Sequence, residues 1–260
     1  MSSLPTVIAG PCSMESLEVM RQVAAQMSEV TSDLGFNYIF KSSFKKANRS
    51  SGSSYRGPGI EQGREWLNSI AHEFKCKVTT DIHEVADASF LAETVDVLQI
   101  PALLSRQTEL IEAAGRTGRV VNIKRGQFMA PWKVQLAAEK AIHAGAADVI
   151  ITERGSMNGY DDLIVDFRTL IEARKFGLKA GFDATHSVQK PTLLEKSSGG
   201  NPEYIEHFAR AATVIGVDYL FFETHPNPSE ALSDGTCMIP LNRMKQTLET
   251  IRVICSVFSA

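Results

Sequence analysis

The chain predicts a (β/α)8 barrel, and three observations carry that expectation. Short β-branched apolar runs alternate with longer helical patterns from end to end; there are eight such runs; and each passes from apolar into polar or ionisable residues at its C-terminal edge. The predicted strands are Thr6–Ala9, Tyr38–Phe44, Lys77–Asp81, Val97–Ile100, Val120–Lys124, Val149–Glu153, Lys179–Asp183 and Tyr219–Glu223. The predicted helices are Leu17–Leu34, Gly63–Phe74, Val85–Leu91, Gln107–Thr117, Val134–His143, Leu163–Phe176, Tyr204–Ile215 and Leu241–Val257. A doubly wound open sheet has the same periodicity and stays as the alternative. No Pro/Gly/Ser tract divides the chain, so residues 1–260 read as one domain.

Composition narrows the function. Hydrophobic residues make up 43% and charged residues 22%, ordinary for a globular protein with a large core. The formal net charge of −3 argues against a nucleic-acid partner. No apolar run approaches the ~20 residues that span a membrane. An apolar segment begins after Met1–Pro5 with no basic stretch before it, so no signal peptide is expected. The cysteines Cys12, Cys76, Cys237 and Cys255 are scattered without a CxxC pair, which predicts free thiols and a reducing cytoplasm. Of these, Cys76, Cys237 and Cys255 read as packing or surface residues.

The strand ends hold the chemistry. In order they present Cys12; Lys41 to Arg49; Asp81 and His83; Gln99; Lys124; Glu153 and Arg154; Asp183 and His186; and Glu223 and His225. In a barrel that edge is the active-site face. Cys12, His186, Glu223 and Asp234 would come from strands 1, 7 and 8, which are neighbours in a closed barrel. Thiolate, imidazole and two carboxylates suit a divalent transition metal such as zinc, iron, manganese or cobalt. Taken alone, a cysteine after Gly-Pro is also simply small and buried.

Anion recognition is the second theme. Phe40–Ser51 runs from a buried strand into a loop carrying Lys41, Lys45, Lys46, Asn48, Arg49 and Ser50. Arginine grips phosphate bidentately, and lysine adds a point charge. Lys46, Lys124 and Arg154 can surround a phosphate or carboxylate. A lysine pointing inward at the end of Val120–Ile123 needs an anionic partner, either a ligand or a carboxylate such as Glu153. Glu153 beside Arg154 also reads as a plain ion pair. Glu195–Gly200 reads as a lid or an ordinary loop. Neither GxGxxG nor GxxxxGK[ST] occurs, so neither NAD nor ATP is expected.

These segments resemble the 3-deoxy-D-manno-octulosonate 8-phosphate synthases, also called 2-dehydro-3-deoxyphosphooctonate aldolases. The likeness is carried by Ile8–Cys12, Phe40–Phe44, Lys46–Ser51, Thr80–Glu84, Gln99–Ala102, Arg106–Thr108, Asn122–Lys124, Gln127–Phe128, Glu153–Gly155, Gly159–Tyr160, Asp183–Gln189, Ser198–Gly200 and Glu223–Pro226. The resemblance implies a (β/α)8 barrel that condenses phosphoenolpyruvate with arabinose 5-phosphate and releases phosphate, in the pathway to the lipopolysaccharide sugar Kdo. Cysteine at position 12 marks the metal-dependent type, implying Cys12, His186, Glu223 and Asp234 as ligands. The implied phosphoenolpyruvate pocket is Lys46, Gln99, Lys124, Arg154 and His186, with Lys41 alongside. Asn48, Arg49 and Ser50 would take the sugar phosphate. Arg106 would reach it from an adjacent subunit of a homotetramer. Asp81, His83 and a water on the metal are the candidates for proton transfer. One departure stands in Ser51–Gly52–Ser53–Ser54, where the family often carries histidine. The rivals are a seven-carbon synthase using erythrose 4-phosphate, against which Lys46–Ser51 argues, and a silent sugar-phosphate-binding paralogue, against which the full ligand set argues.

Overall fold

A computed structural model describes residues 4–47, 55–158, 162–190 and 199–258. Eight parallel strands form the barrel wall: β1 (Thr6–Gly10), β2 (Tyr38–Lys41), β3 (Lys77–Asp81), β4 (Val97–Ile100), β5 (Val120–Lys124), β6 (Asp148–Glu153), β7 (Lys179–Asp183) and β8 (Tyr219–His225). Each pairs with the next, and β8 pairs with β1 in register from Thr6↔Tyr219 to Gly10↔Glu223, so the sheet closes. The open doubly wound alternative is thereby excluded.

Outside the wall lie α1 (Leu17–Leu34), α2 (Ile60–Phe74), α3 (Val85–Ala92), α4 (Thr108–Arg116), α5 (Val134–Ala144), α6 (Arg168–Lys175), α7 (Ile205–Ile215) and α8 (Met244–Phe258). Their ends follow local chemistry. Ser16 Oγ accepts from Val19 N at 3.1 Å to start α1, and Gly35 at φ +79° ends it. Glu84 and Asp87 form a reciprocal capping box on α3. Among the described residues, no helix is long and apolar enough to cross a membrane.

Two expected boundaries differ. β2 stops at Lys41, and beyond it Ser43 makes an isolated parallel bridge with Ser13. The expected helix from Leu163 begins only at Arg168, because Leu163–Ile164 pair antiparallel with Ser156–Met157. Asp166 then starts the helix, its Oδ1 accepting from Arg168 N at 3.1 Å.

Strand alternation sorts side chains between two cores. Outward residues such as Val7, Phe40, Val78, Leu98, Val121, Ile151, Phe182 and Leu220 pack under the helices. Inward residues Ile8, Ile39, Val97, Ile150 and Phe221 fill the barrel floor. Two residues further along the same strands, the inward positions become Gly10, Lys41, Gln99, Thr152 and Glu223, which builds a polar layer on an apolar plug. Gly10 is needed there, since a Cβ at that position would lie 1.9 Å from Lys41 O.

Candidate active site

The first loop, after β1, carries Cys12, and the loop after β8 carries Asp234. Cys12 Sγ lies 3.2 Å from Asp234 Oδ2 and 3.0 Å from Ser233 Oγ. With Glu223 at the mouth of β8, these two residues offer ligand atoms within 4.8 Å of one another. His186 joins from the β7 side, its Nε2 3.5 Å from Glu223 Oε1. The expected four ligands therefore converge, three of them in one tight group.

The donor set fits a divalent transition metal on grounds internal to the site. Glu223 Oε2 is buried with no hydrogen-bond partner among the described residues, so the group keeps an uncommitted acceptor. Burial, and then the carboxylates of Glu223 and Asp234, push the Cys12 thiol well above its ordinary value. The thiol proton is then the one a metal would displace. Burial alone would raise Glu223, but His186 and Lys41 bring it down to about 2, so it stays ionised. His186 Nδ1 lies 2.8 Å from Asp183 Oδ2. Asp183 would rise through burial, yet His186 and Lys124 hold it well below the usual carboxylate range. An ionised Asp183 keeps the imidazole proton on Nδ1 and frees Nε2 as a ligand, the usual outer partner of a metal histidine.

Cations ring this group. Lys46 Nζ donates to Ser43 Oγ at 3.1 Å. Burial would lower its pKa, but Cys12, Glu223, Asp81 and Asp234 raise it, so it stays charged. Lys124 Nζ bonds Asp183 and sits 3.3 Å from the centre of the Phe221 ring. Its pKa is lowered to about 8 by burial, against the pull of Asp183. Arg154 donates from Nη2 to Gln189 Oε1 at 2.8 Å, while its Nη1 is buried without a partner among the described residues. A buried, unpartnered guanidinium nitrogen is a ready anion donor.

Other expected residues are committed inside the protein. Lys41 donates to Glu223 at 3.0 Å and to the Cys12 carbonyl at 3.4 Å, acting as an internal counter-ion. Gln99 donates to Asp81 at 2.6 Å and accepts from Asn122 at 2.9 Å, while Thr152 donates to Asn122 at 2.7 Å. This amide chain crosses four strands and pins Gln99. Asp81 also takes a bond from Ser43. Its burial would raise it, but Lys41 and Lys46 hold it well below the usual range. His83 stacks edge-on to Phe44, is lowered by burial, and has a buried Nδ1 with no partner among the described residues.

Arg106 is not brought to this group. It is exposed and lines an outer cavity of about 920 Å³ between α4 and α5, beside Phe128, Lys133, Leu136 and Lys140. Asn48, Arg49, Ser50 and Glu195–Ser198 lie outside the described residues. All cysteines are free thiols.

Sequence reasoning passed over two residues. Asp183 was visible only as a polar strand end, although His186 three residues on was a clue to its role. Arg125 was hidden beside Lys124. It is 1% exposed, forks onto both oxygens of Glu153, and also donates to Gly126 O, Met129 O and Ser156 Oγ. Glu153 in turn accepts from Gly155 N at 2.6 Å. The pair ties the loops after β5 and β6 together and is flanked along the chain by Lys124 and Arg154. The Glu ending the neighbouring strand was the available signal.

The sequence has known relatives. The DAHP synthetase I family model matches residues 3–255. A protein of Xanthomonas oryzae pv. oryzae named 2-dehydro-3-deoxyphosphooctonate aldolase is 47% identical over 251 residues, covering 96% of this chain and 91% of its own. One of the same name from Xanthomonas campestris pv. campestris has the same identity and coverage. Another from Fusobacterium nucleatum subsp. nucleatum is 48% identical over 243 residues, 94% of this chain and 87% of its own. A closed barrel with this ligand group at its C-terminal mouth, matched over nearly its whole length, belongs to the DAHP synthetase I family, among relatives named 2-dehydro-3-deoxyphosphooctonate aldolase.

Proposed function

We propose that this chain condenses phosphoenolpyruvate with D-arabinose 5-phosphate and water to give 3-deoxy-D-manno-octulosonate 8-phosphate and inorganic phosphate, in the cytoplasm. The observation that carries the proposal is the placing of Lys46, Lys124 and Arg154 around one barrel mouth that also holds Cys12, Glu223 and Asp234. Two anions must be brought together for this reaction. Fixing them side by side against buried cations supplies both proximity and electrostatic stabilisation.

In this reading Arg154 Nη1 and Lys124 Nζ hold the phosphoenolpyruvate anion, and Lys46 neutralises its phosphate. Asn48, Arg49 and Ser50 take the sugar phosphate. Carbon 3 of phosphoenolpyruvate bonds to the aldehyde carbon, water adds at carbon 2, and the C–O bond to phosphate breaks. Cys12, His186, Glu223 and Asp234 would hold a divalent ion, of zinc, iron, manganese or cobalt type. Such an ion, when bound, would supply Lewis acidity to the condensation. Asp183 keeps the His186 proton on Nδ1. Lys41 balances Glu223. Asp81 stays ionised and orients Ser43 and Gln99, while neutral His83 offers Nδ1 as a proton acceptor.

Arg106 stands beside the exposed apolar Leu103, Phe128, Trp132 and Leu136. That surface supports a homotetramer in which Arg106 reaches a neighbouring sugar site. Phosphate release measured with arabinose 5-phosphate and erythrose 4-phosphate in competition tests the substrate. Preference for the five-carbon sugar is expected. Preference for the four-carbon sugar would assign the seven-carbon synthase reaction, and binding of both without phosphate release would make the chain a silent binder.

A further inference from the structure

Two contacts outside the ligand group join the loop that carries Cys12 to the loop that carries Asp234. Both are made by Glu15, three residues after Cys12, whose side chain is only 8% exposed. Its Oε1 accepts from Leu232 N at 2.7 Å, and its Oε2 lies 3.4 Å from His225 Nε2. His225 Nδ1 lies 2.7 Å from Asn227 O and accepts from Asn227 N at 3.1 Å. Together these contacts grip both ends of the segment that descends from β8 to Asp234.

That segment needs holding. Asp234 sits at φ +50°, one of two described non-glycine residues with positive φ. The left-handed region is disfavoured for a residue with a β-carbon, so neighbouring contacts must select it. Glu15 is itself a carboxylate, yet among the described residues it does not join the tight group of Cys12, Glu223 and Asp234 that His186 approaches. Both of its oxygens are turned toward the loop.

We propose that Glu15 is a positioning residue, clamping the segment between His225 and Leu232 against the first loop so that the Asp234 carboxylate faces Cys12 and Glu223. The proposal rests on the metal reading above. It does not make Glu15 a ligand or a catalytic group.

Full-length protein stripped with chelator and titrated with Co²⁺ tests it, reading the thiolate-to-cobalt and d–d absorption bands and the affinity by competition. Glu15→Ala removes both contacts, and Glu15→Gln keeps an acceptor for Leu232 N while losing the charge opposite His225. We expect Co²⁺ binding about 10–100-fold weaker in Glu15→Ala, as for other outer partners of metal sites, with altered d–d bands. Glu15→Gln should show a smaller loss. Wild-type affinity and spectrum in Glu15→Ala overturn the clamp and leave the metal reading standing. If Glu15→Ala does not fold, Glu15→Gln decides, and wild-type affinity there overturns the clamp. A wild-type protein that gives no thiolate band with Co²⁺ overturns both.

Discussion

Asp183→Asn is the sharpest single perturbation of this site. Asp183 is fully buried and bonds Lys124 Nζ and His186 Nδ1 through Oδ2, while Oδ1 accepts from Thr185 N at 3.1 Å and His186 N at 2.8 Å. Asparagine can keep the backbone bonds, but its NH2 then faces two other donors. Lys124 is left buried over Phe221 without a counter-charge. Stranding a buried charge costs about 3–5 kcal/mol. Lys124 has a cheaper exit, because burial already brings its pKa to about 8. Releasing the proton at pH 7 costs about 1.4 kcal/mol for that one unit. The Lys124 part of the destabilisation at pH 7 is therefore about 1.4 kcal/mol, below the cost of a stranded charge.

The pH dependence has a definite sign. In the unfolded chain Lys124 keeps its proton up to the ordinary 10.5. Wild-type stability thus gains from about pH 8 upward, and in the variant the gain starts at lower pH. The gap between the two proteins should narrow by about 1.4 kcal/mol between pH 7 and pH 9. His186 responds as well. Opposite an amide NH2, Nδ1 becomes the acceptor and the proton moves to Nε2, the nitrogen facing Glu223. Metal affinity should fall about 10–100-fold. Urea unfolding at the two pH values and chelator competition read both effects. A stability gap independent of pH, or unchanged metal affinity, would refute the reasoning.

Phosphoenolpyruvate binding should weaken as pH rises through about 8, because only protonated Lys124 attracts the anion. A KM flat between pH 7 and pH 9 would remove Lys124 from the pocket. Arg125→Lys keeps the charge but loses the fork onto Glu153, with a cost of about 1–3 kcal/mol for the unmade bonds. Because Arg125 and Glu153 adjoin Lys124 and Arg154 along the chain and fix the loops that carry them, KM for phosphoenolpyruvate should rise more than kcat falls, and an unchanged KM would confine Arg125 to stability.

Much of this was legible in the chain. All eight strands stood out because each apolar run passes into polar or ionisable residues at its C-terminal edge, and the barrel register gathers those ends around one mouth. Cys12, Glu223 and Asp234 were recoverable because closure makes strands 1 and 8 neighbours. Leu163–Phe167 was not. Its apolar residues fit helical spacing as well as a short hairpin, and only pairing with Ser156–Met157 decides between them. The partners that hold Lys41 and Gln99 in place, Glu223 for the first and Asp81 and Asn122 for the second, lie on other strands. Such commitments are tertiary and leave no local pattern. Arg125 drew no reading beside Lys124, because only strand alternation and the fold turn it outward onto Glu153.

The central claim is a synthase whose metal group sits on Cys12. Its most direct test is phosphate release from phosphoenolpyruvate plus arabinose 5-phosphate, before chelation, after it, and after adding back divalent metal, in wild type and Cys12→Ser. Activity lost to chelator and restored by metal is expected in wild type, with little activity in Cys12→Ser under any condition. Near-normal turnover by metal-free Cys12→Ser would contradict it.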